Sequence, residues 1–214
     1  DVASLGELRT VLTAGFPASD VEFSGPGKTR SELAGAIRLQ IGSLNVESVA
    51  ELRHVIDICR SESLRARVGL RINPAQVPSG AALRMAGDTQ FGIEERDMLE
   101  ALQVVTHAGD VLEFTGIHAH LGSQVLSVDA IVESCGVVLA LAMRVSEIMG
   151  RPLARINFGG GWGVPYFAGQ SALDLELLRG GLHDLFARRE HAGVRESTRF
   201  VVELGRFLVA ESGV

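Results

Sequence analysis

Gly159-Gly160-Gly161 and Glu203-Leu204-Gly205-Arg206 hold the residues best suited to chemistry. Each group closes a short apolar run, Ala154-Arg155-Ile156-Asn157-Phe158 and Phe200-Val201-Val202. His118-Ala119-His120-Leu121-Gly122-Ser123-Gln124 ends a third. Glycines that free backbone N–H groups, an arginine and a small hydroxyl at neighbouring strand ends make a phosphate cradle. A carboxylate and a histidine beside that cradle suit a cofactor with a charged ring as well as a phosphate.

Each of these residues has a plainer reading. His118 and His120, two apart on a strand, face one side. They offer a ring-stacking imidazole near the Ser123 hydroxyl, a core histidine next to a turn, or a pair that chelates zinc with further ligands from other strand ends. Glu203, at the end of an apolar strand, needs a partner for a costly buried charge. A pyridinium N–H is one candidate, and a strand-end arginine such as Arg71 is another. Ser24-Gly25-Pro26-Gly27-Lys28-Thr29 is not a Walker-type loop, because Glu22 stands where its first glycine belongs. Lys28 is the only lysine in the chain.

The elements that must position these residues alternate. Apolar runs at Val2–Ser4, Val21–Ser24, Leu44–Val46, Ala66–Ile72, Phe114–His120, Ala154–Phe158 and Phe200–Glu203 read as strands. Amphipathic stretches at Leu5–Ala14, Ser31–Leu39, Val49–Arg60, Glu94–His107, Val128–Met149 and Leu173–Glu190 read as helices. Residues 75–92 read as a long loop rich in Gly, Pro and Ser. Repeated βα units predict an α/β fold with a parallel sheet. The polar, glycine-rich residues fall at the C-terminal ends of the strands, where a (β/α)8 barrel keeps its site. A doubly wound sheet would carry its glycines after the first strand. The strand count falls one short of a barrel and the chain opens inside a strand. The expectation is therefore a single domain, residues 1–214, forming an incomplete (β/α)8 barrel cut at both ends.

Composition narrows the function classes. Apolar residues make up 46% and charged residues 21%, as in globular proteins. A net charge of −6 argues against a general nucleic-acid binder. The most apolar helical stretch, Ile131 to Met149, is interrupted by Glu133, Arg144 and Glu147, which argues against a membrane span. Two cysteines, Cys59 and Cys135, are too few for a disulfide framework and suit reduced thiols in a cytoplasmic protein.

Along its length the chain resembles the group IV (fold type III) pyridoxal-phosphate-dependent decarboxylases, the family of the diaminopimelate, ornithine and carrier-bound-glutamate decarboxylases. The matching segments, in family order, are Asp1-Val2-Ala3-Ser4, Phe23 to Lys28, Asn45-Val46-Glu47-Ser48, Leu70 to Pro74, Gln90-Phe91-Gly92-Ile93, Gly116 to Gln124, Phe158 to Tyr166, and Glu203 to Arg206. The resemblance implies a barrel of alanine-racemase type that binds pyridoxal 5'-phosphate. It implies that His120 stacks on the pyridine ring and that Glu203 pairs with its nitrogen. Ser123, Gly159, Gly160, Gly161, Gly205 and Arg206 would hold the phosphate, with Asp1 and Arg71 near the ring. A carboxylate on the ring nitrogen keeps it protonated, which suits an electron sink for decarboxylation.

The resemblance also places the cofactor-bearing lysine on a strand ahead of Asp1, and a second, β-rich domain with dimer-interface contacts beyond Arg206. Lys28 falls in a different motif. The expectation is a homodimeric full-length enzyme acting on an amino acid, free or carrier-bound, with residues 1–214 inactive alone. Leu204 stands where diaminopimelate-specific members often carry proline, and Gln90 where many members carry lysine; Glu203-Leu204-Gly205-Arg206 with Gly163-Val164-Pro165-Tyr166-Phe167 resembles the branch found with carrier-protein substrates or in secretion-associated clusters. A racemase on the same barrel, a non-catalytic cofactor-binding protein and a metal-dependent hydrolase are the competing readings. Racemases commonly set an arginine against the ring nitrogen, so Glu203 speaks against the first of these.

Overall fold

The computed structural model describes residues 1–75, 83–84, 89–188 and 198–212. In chain order the helices are α1 (Leu5–Thr13), α2 (Arg30–Arg38), α3 (Val49–Glu62), α4 (Met98–His107), α5 (Val128–Met149), α6 (Leu175–Ala187) and α7 (Gly205–Val209). The strands are β1 (Glu22–Phe23), β2 (Ser43–Val46), β3 (Ala66–Asn73), β4 (Leu83–Arg84), β5 (Ile93–Glu94), β6 (Leu112–His118), β7 (Gly122–Ser123), β8 (Arg155–Gly160) and β9 (Arg199–Glu203). Most of the loop expected over 75–92, and the end of the helix expected to reach Glu190, lie outside the described residues.

Local chemistry explains most boundaries. Ser48 caps α3 by accepting from Glu51 N, and the helix ends where Ser63 turns left-handed at φ 54°. Leu52, Val55, Ile56 and Cys59 form its buried stripe at helical spacing. Thr29 and Glu32 close a reciprocal capping box at the start of α2. Ser127 caps α5, which stops at Gly150 with φ 63°.

The chain forms two compact units, Asp1–Ile72 with Gln90–Ile117, and Asn73–Thr89 with His118–Val214. In the first, β1, β2, β3 and β6 lie in that order, and β1–β2 and β2–β3 pair in parallel. Val2 makes only an isolated parallel bridge to Phe23, so the strand expected there is reduced to one contact. Phe23, Leu44, Val46, Leu70 and Ile72 form the floor of this core, with Leu33, Leu52 and Ile58 from the helices. In the second unit, β8 and β9 pair in parallel, α5 packs on α6, and Phe158, Phe186 and Phe200 form an aromatic cluster. β4 and β7 form a small antiparallel pair, Leu83 opposite Ser123. Among the described residues no helix is long and apolar enough to cross a membrane.

Two expectations are corrected by the backbone. β6 begins at Leu112 and ends at His118, so His120 lies beyond the strand rather than on it. The helix expected from Glu94 begins only at Met98, after a 3₁₀ turn over Glu95–Asp97.

Candidate functional site

In the second unit the strand-end residues converge. Asn157, on β8, donates from Nδ2 to Glu203 Oε1 at 2.8 Å and accepts the Gly159 N–H on Oδ1 at 2.8 Å. His118 Nε2 lies 3.6 Å from Glu203 Oε1, and His120 Nδ1 lies 4.0 Å from Glu203 Oε2. The Gly160 N–H donates to His120 Nδ1 at 3.1 Å. That bond places the ring proton of the neutral imidazole on Nε2. The carboxylate of Glu203 is only 16% exposed, and His118 is buried at 1%. Although His120 has left the strand, the turn after it brings both imidazoles to the same carboxylate.

The three glycines act differently from the simple reading of a run of free amides. Gly159 N and Gly160 N are spent on Asn157 and His120. Their lack of a side chain is used for close approach instead. A Cβ on Gly160 would stand 1.9 Å from the Glu203 carbonyl oxygen. On Gly161 (φ 93°) a Cβ would stand 1.9 Å from the Gly122 carbonyl oxygen. The β8–β9 register shifts between Asn157 and Gly160, so Gly160 comes opposite Glu203.

Of this run only Gly161 joins the lining of a cleft of about 200 Å³, together with His120, Ser123, Trp162, Glu203, Gly205 and Arg206. Gln124, left-handed at φ 58°, pairs its side chain with both backbone groups of Val164 and takes Arg206 Nη1 at 3.5 Å. Arg206 also lies over the Tyr166 ring, 5.8 Å from its centre. The cleft thus brings together groups suited to an anion (Arg206, the Ser123 hydroxyl and the Gly161 backbone) with a carboxylate and an imidazole. This donor set fits a phosphorylated ring with a protonated nitrogen. His118, His120 and Glu203 place ligand atoms within 4.8 Å of one another. A metal ion taken by His120 Nδ1 would have to displace the Gly160 N–H.

Asp1 and Arg71 belong to the first unit. Asp1 Oδ1 accepts from Ser24 Oγ at 2.9 Å, and Asn45 links Ser24 to Glu22. Arg71 pairs with buried Glu47 at 2.9 Å and lies under the Phe91 ring. Arg71 therefore has its own carboxylate within the first unit. Glu47 also accepts N–H groups from Gly25 and Gly92. Lys28, 1% exposed, directs its ammonium at Glu51 and at the Gly25 and Asn45 carbonyls. Two hydrogen bonds to carbonyls and one ion pair hold this ammonium, consistent with a structural lysine. Burial pushes the Cys135 thiol up to about 12, and the Cys59 thiol is raised by burial too. Neither thiol is poised as a nucleophile.

Sequence reasoning missed Asn157 and Glu47. Each is a polar residue within or at the end of an apolar run, a pattern that by itself does not distinguish a site residue from a strand-end polar group.

The fold and site define a parallel α/β protein with a cleft at its strand ends whose side chains include an arginine, a serine, a histidine and a carboxylate. Residues 1–210 match the pyridoxal-dependent decarboxylase, pyridoxal binding domain family, and the chain belongs to it. The chain is 38% identical over its whole length to the L-glutamyl-[BtrI acyl-carrier protein] decarboxylase of Niallia circulans, covering 50% of that protein. It is 33% identical to a diaminopimelate decarboxylase of Helicobacter pylori, again over its whole length and covering 51% of that protein. The crystal structure of diaminopimelate decarboxylase from Helicobacter pylori complexed with L-lysine superposes with a TM-score of 0.83 at 31% identity, over 99% of this chain and 52% of that one. The expected fold class, an incomplete barrel-type α/β fold, and the expected cofactor both agree with these matches. The chain spans about half the length of the curated relatives it matches.

Proposed function

We propose that the chain is the pyridoxal 5'-phosphate-binding part of a decarboxylase that acts on an amino acid, free or carrier-bound. The observation that carries this reading is Glu203, a carboxylate gathered by Asn157, His118 and His120 into the cleft that also holds Ser123 and Arg206. In this reading Ser123, Gly161, Gly205 and Arg206 bind the phosphate, and Gly159 and Gly160 shape the turn. His120 covers the ring, Glu203 holds the proton on its nitrogen, and Asp1 and Arg71 serve near the ring. When bound, the cofactor supplies the electron sink for the bond broken as CO₂ leaves.

The 38% identity to a carrier-protein decarboxylase, with Leu204 after Glu203, favours a carrier-bound substrate. Both units are read as parts of one pyridoxal-binding domain, supported by a family match that runs from residue 1 to residue 210. The full-length protein is read as a homodimer in the cytoplasm, where the free, buried Cys59 and Cys135 stay reduced.

Trp162, the only tryptophan, lines the cleft and reports on it. Pyridoxal 5'-phosphate should quench its emission saturably, and inorganic phosphate should compete. Arg206→Ala should weaken binding about tenfold or more, the value of one charge-assisted contact to phosphate. Quenching that is linear in cofactor and indifferent to Arg206→Ala would remove the assignment.

A further inference from the structure

We propose that Asn157 is a positioning residue whose carboxamide clamps Glu203 in the one orientation that meets the ring nitrogen of the cofactor. The proposal rests on the assignment of Glu203 to that nitrogen made above. Asn157 is 1% exposed, in a strand whose neighbours Ile156 and Phe158 are apolar. Its amide cannot be turned end for end. The Gly159 N–H can only donate, so Oδ1 must face it, and the NH₂ must then face Glu203. The backbone of the glycine turn thereby dictates which group meets the carboxylate.

The clamp acts on one oxygen. Oε1 receives the Asn157 N–H and lies 3.6 Å from Nε2 of buried His118, while Oε2 lies 4.0 Å from His120 Nδ1. A glutamate in a cleft otherwise samples several rotamers and gives up that freedom on binding. Here the freedom is already spent. The backbone of Glu203 is fixed by the same turn, because its carbonyl packs where a Cβ of residue 160 would be. One turn therefore sets the acid and also carries Gly161 to the phosphate end, which fixes the spacing between the two ends of the cofactor. A neutral amide also does this without adding a second negative charge, which would repel the Glu203 carboxylate.

Serine at 157 separates the two bonds. Its hydroxyl can still accept from an N–H two residues on, but it is too short to reach Glu203. Leucine removes both. The probe is pyridoxamine 5'-phosphate labelled with ¹⁵N in the ring, which needs no covalent attachment, bound to the full-length protein. The readouts are the pH at which the bound ring nitrogen gives up its proton and the affinity for inorganic phosphate. Glu203→Gln should lower that pH by more than about one unit, and Asn157→Ser by about one unit, the scale of one hydrogen bond to a charged group. Asn157→Ser should leave phosphate affinity within about twofold, a factor well below one such bond. Asn157→Leu should lose both.

In the Glu203→Gln background, Asn157→Ser should add no further shift. A midpoint unmoved by Asn157→Ser while Glu203→Gln lowers it, or effects that simply add in the double variant, overturns the clamp. A midpoint unmoved by Glu203→Gln removes the ring-nitrogen assignment itself, and the clamp with it. Should the Asn157 variants fail to fold, the Asn157 side-chain amide resonances decide: they must move on Glu203→Gln, and a spectrum unchanged there rejects the contact.

Discussion

Gly160 shows at single-residue scale how a glycine can matter without offering a free amide. Its N–H is taken by His120, and its missing Cβ leaves room for the Glu203 carbonyl. Gly160→Ala must push β9 away from β8, since the obstructing atom is backbone rather than a flexible side-chain tip. We expect a loss of about 1–3 kcal/mol of stability, the usual range for overpacking. Cofactor affinity should fall at least about tenfold as Glu203 leaves Asn157, again the value of a charge-assisted bond. Denaturant midpoints and the Trp162 titration measure the two effects, and an alanine variant with wild-type values in both would contradict this packing. The residues of the cleft were legible in the sequence because their types are special: a carboxylate after an apolar run, a glycine triplet, an arginine next to a glycine. Their hydrogen-bond partners were not. Asn157 meets Glu203 only because β8 and β9 pair with a register shift, and a register between strands 46 residues apart leaves no local mark.

At the scale of elements, Lys28 is the fastener of the first unit. It joins the turn after β1 to the end of β2 and to α3, through Gly25, Asn45 and Glu51. Burial raises the carboxyl of Glu51 above its ordinary range, and the ammonium of Lys28 opposes that rise. A carboxyl whose folded pKa lies above its unfolded value favours the fold at low pH and loses that contribution as pH rises through the folded value. Lys28→Met removes the opposing charge and widens that window upward from 4.5. The variant should lose about 3–5 kcal/mol near neutral pH, as when one partner of a buried pair is deleted. Its deficit should shrink toward pH 4.5, and adding Glu51→Gln should recover part of it. Urea midpoints across pH measure this, and a deficit independent of pH would show that Glu51 is not the group left behind. The elements themselves were largely readable. α5 falls at its expected bounds because Ser127 and Gly150 mark both ends. The β4–β7 pair was not readable, since two-residue strands carry no period.

For the whole molecule, the sequence reads as one run of βα units and the chain forms two compact units. The boundaries of the two compact units fall at 72/73, 89/90 and 117/118, the first and last at the C-terminal ends of β3 and β6 and the second within the Gly-, Pro- and Ser-rich stretch 75–92. The two units also differ in how deeply their strands are buried. β2 is buried along its length, and Leu70 and Ile72 on β3 are at most 1% exposed. β9 has no fully buried residue, and Val202 is 49% exposed. Opening free energies follow burial and hydrogen bonding, so amides of β2 and β3 should exchange slowest and those of β9 among the fastest of the strands. The cofactor reading adds a sign to this gradient. Glu203, Gly205 and Arg206 stand at the end of β9, so a ligand they hold must be released before β9 can open. Binding stabilises the closed form by about 2.7 kcal/mol at a free concentration of 100 Kd, equivalent to slowing exchange about a hundredfold. Hydrogen exchange with and without pyridoxal 5'-phosphate should show that slowing at residues 199–206 and 157–163, and little at β2. A uniform change across both units would mean the ligand grips the molecule elsewhere. No change at β9 would mean that the carboxylate and the arginine at its end do not hold the ligand.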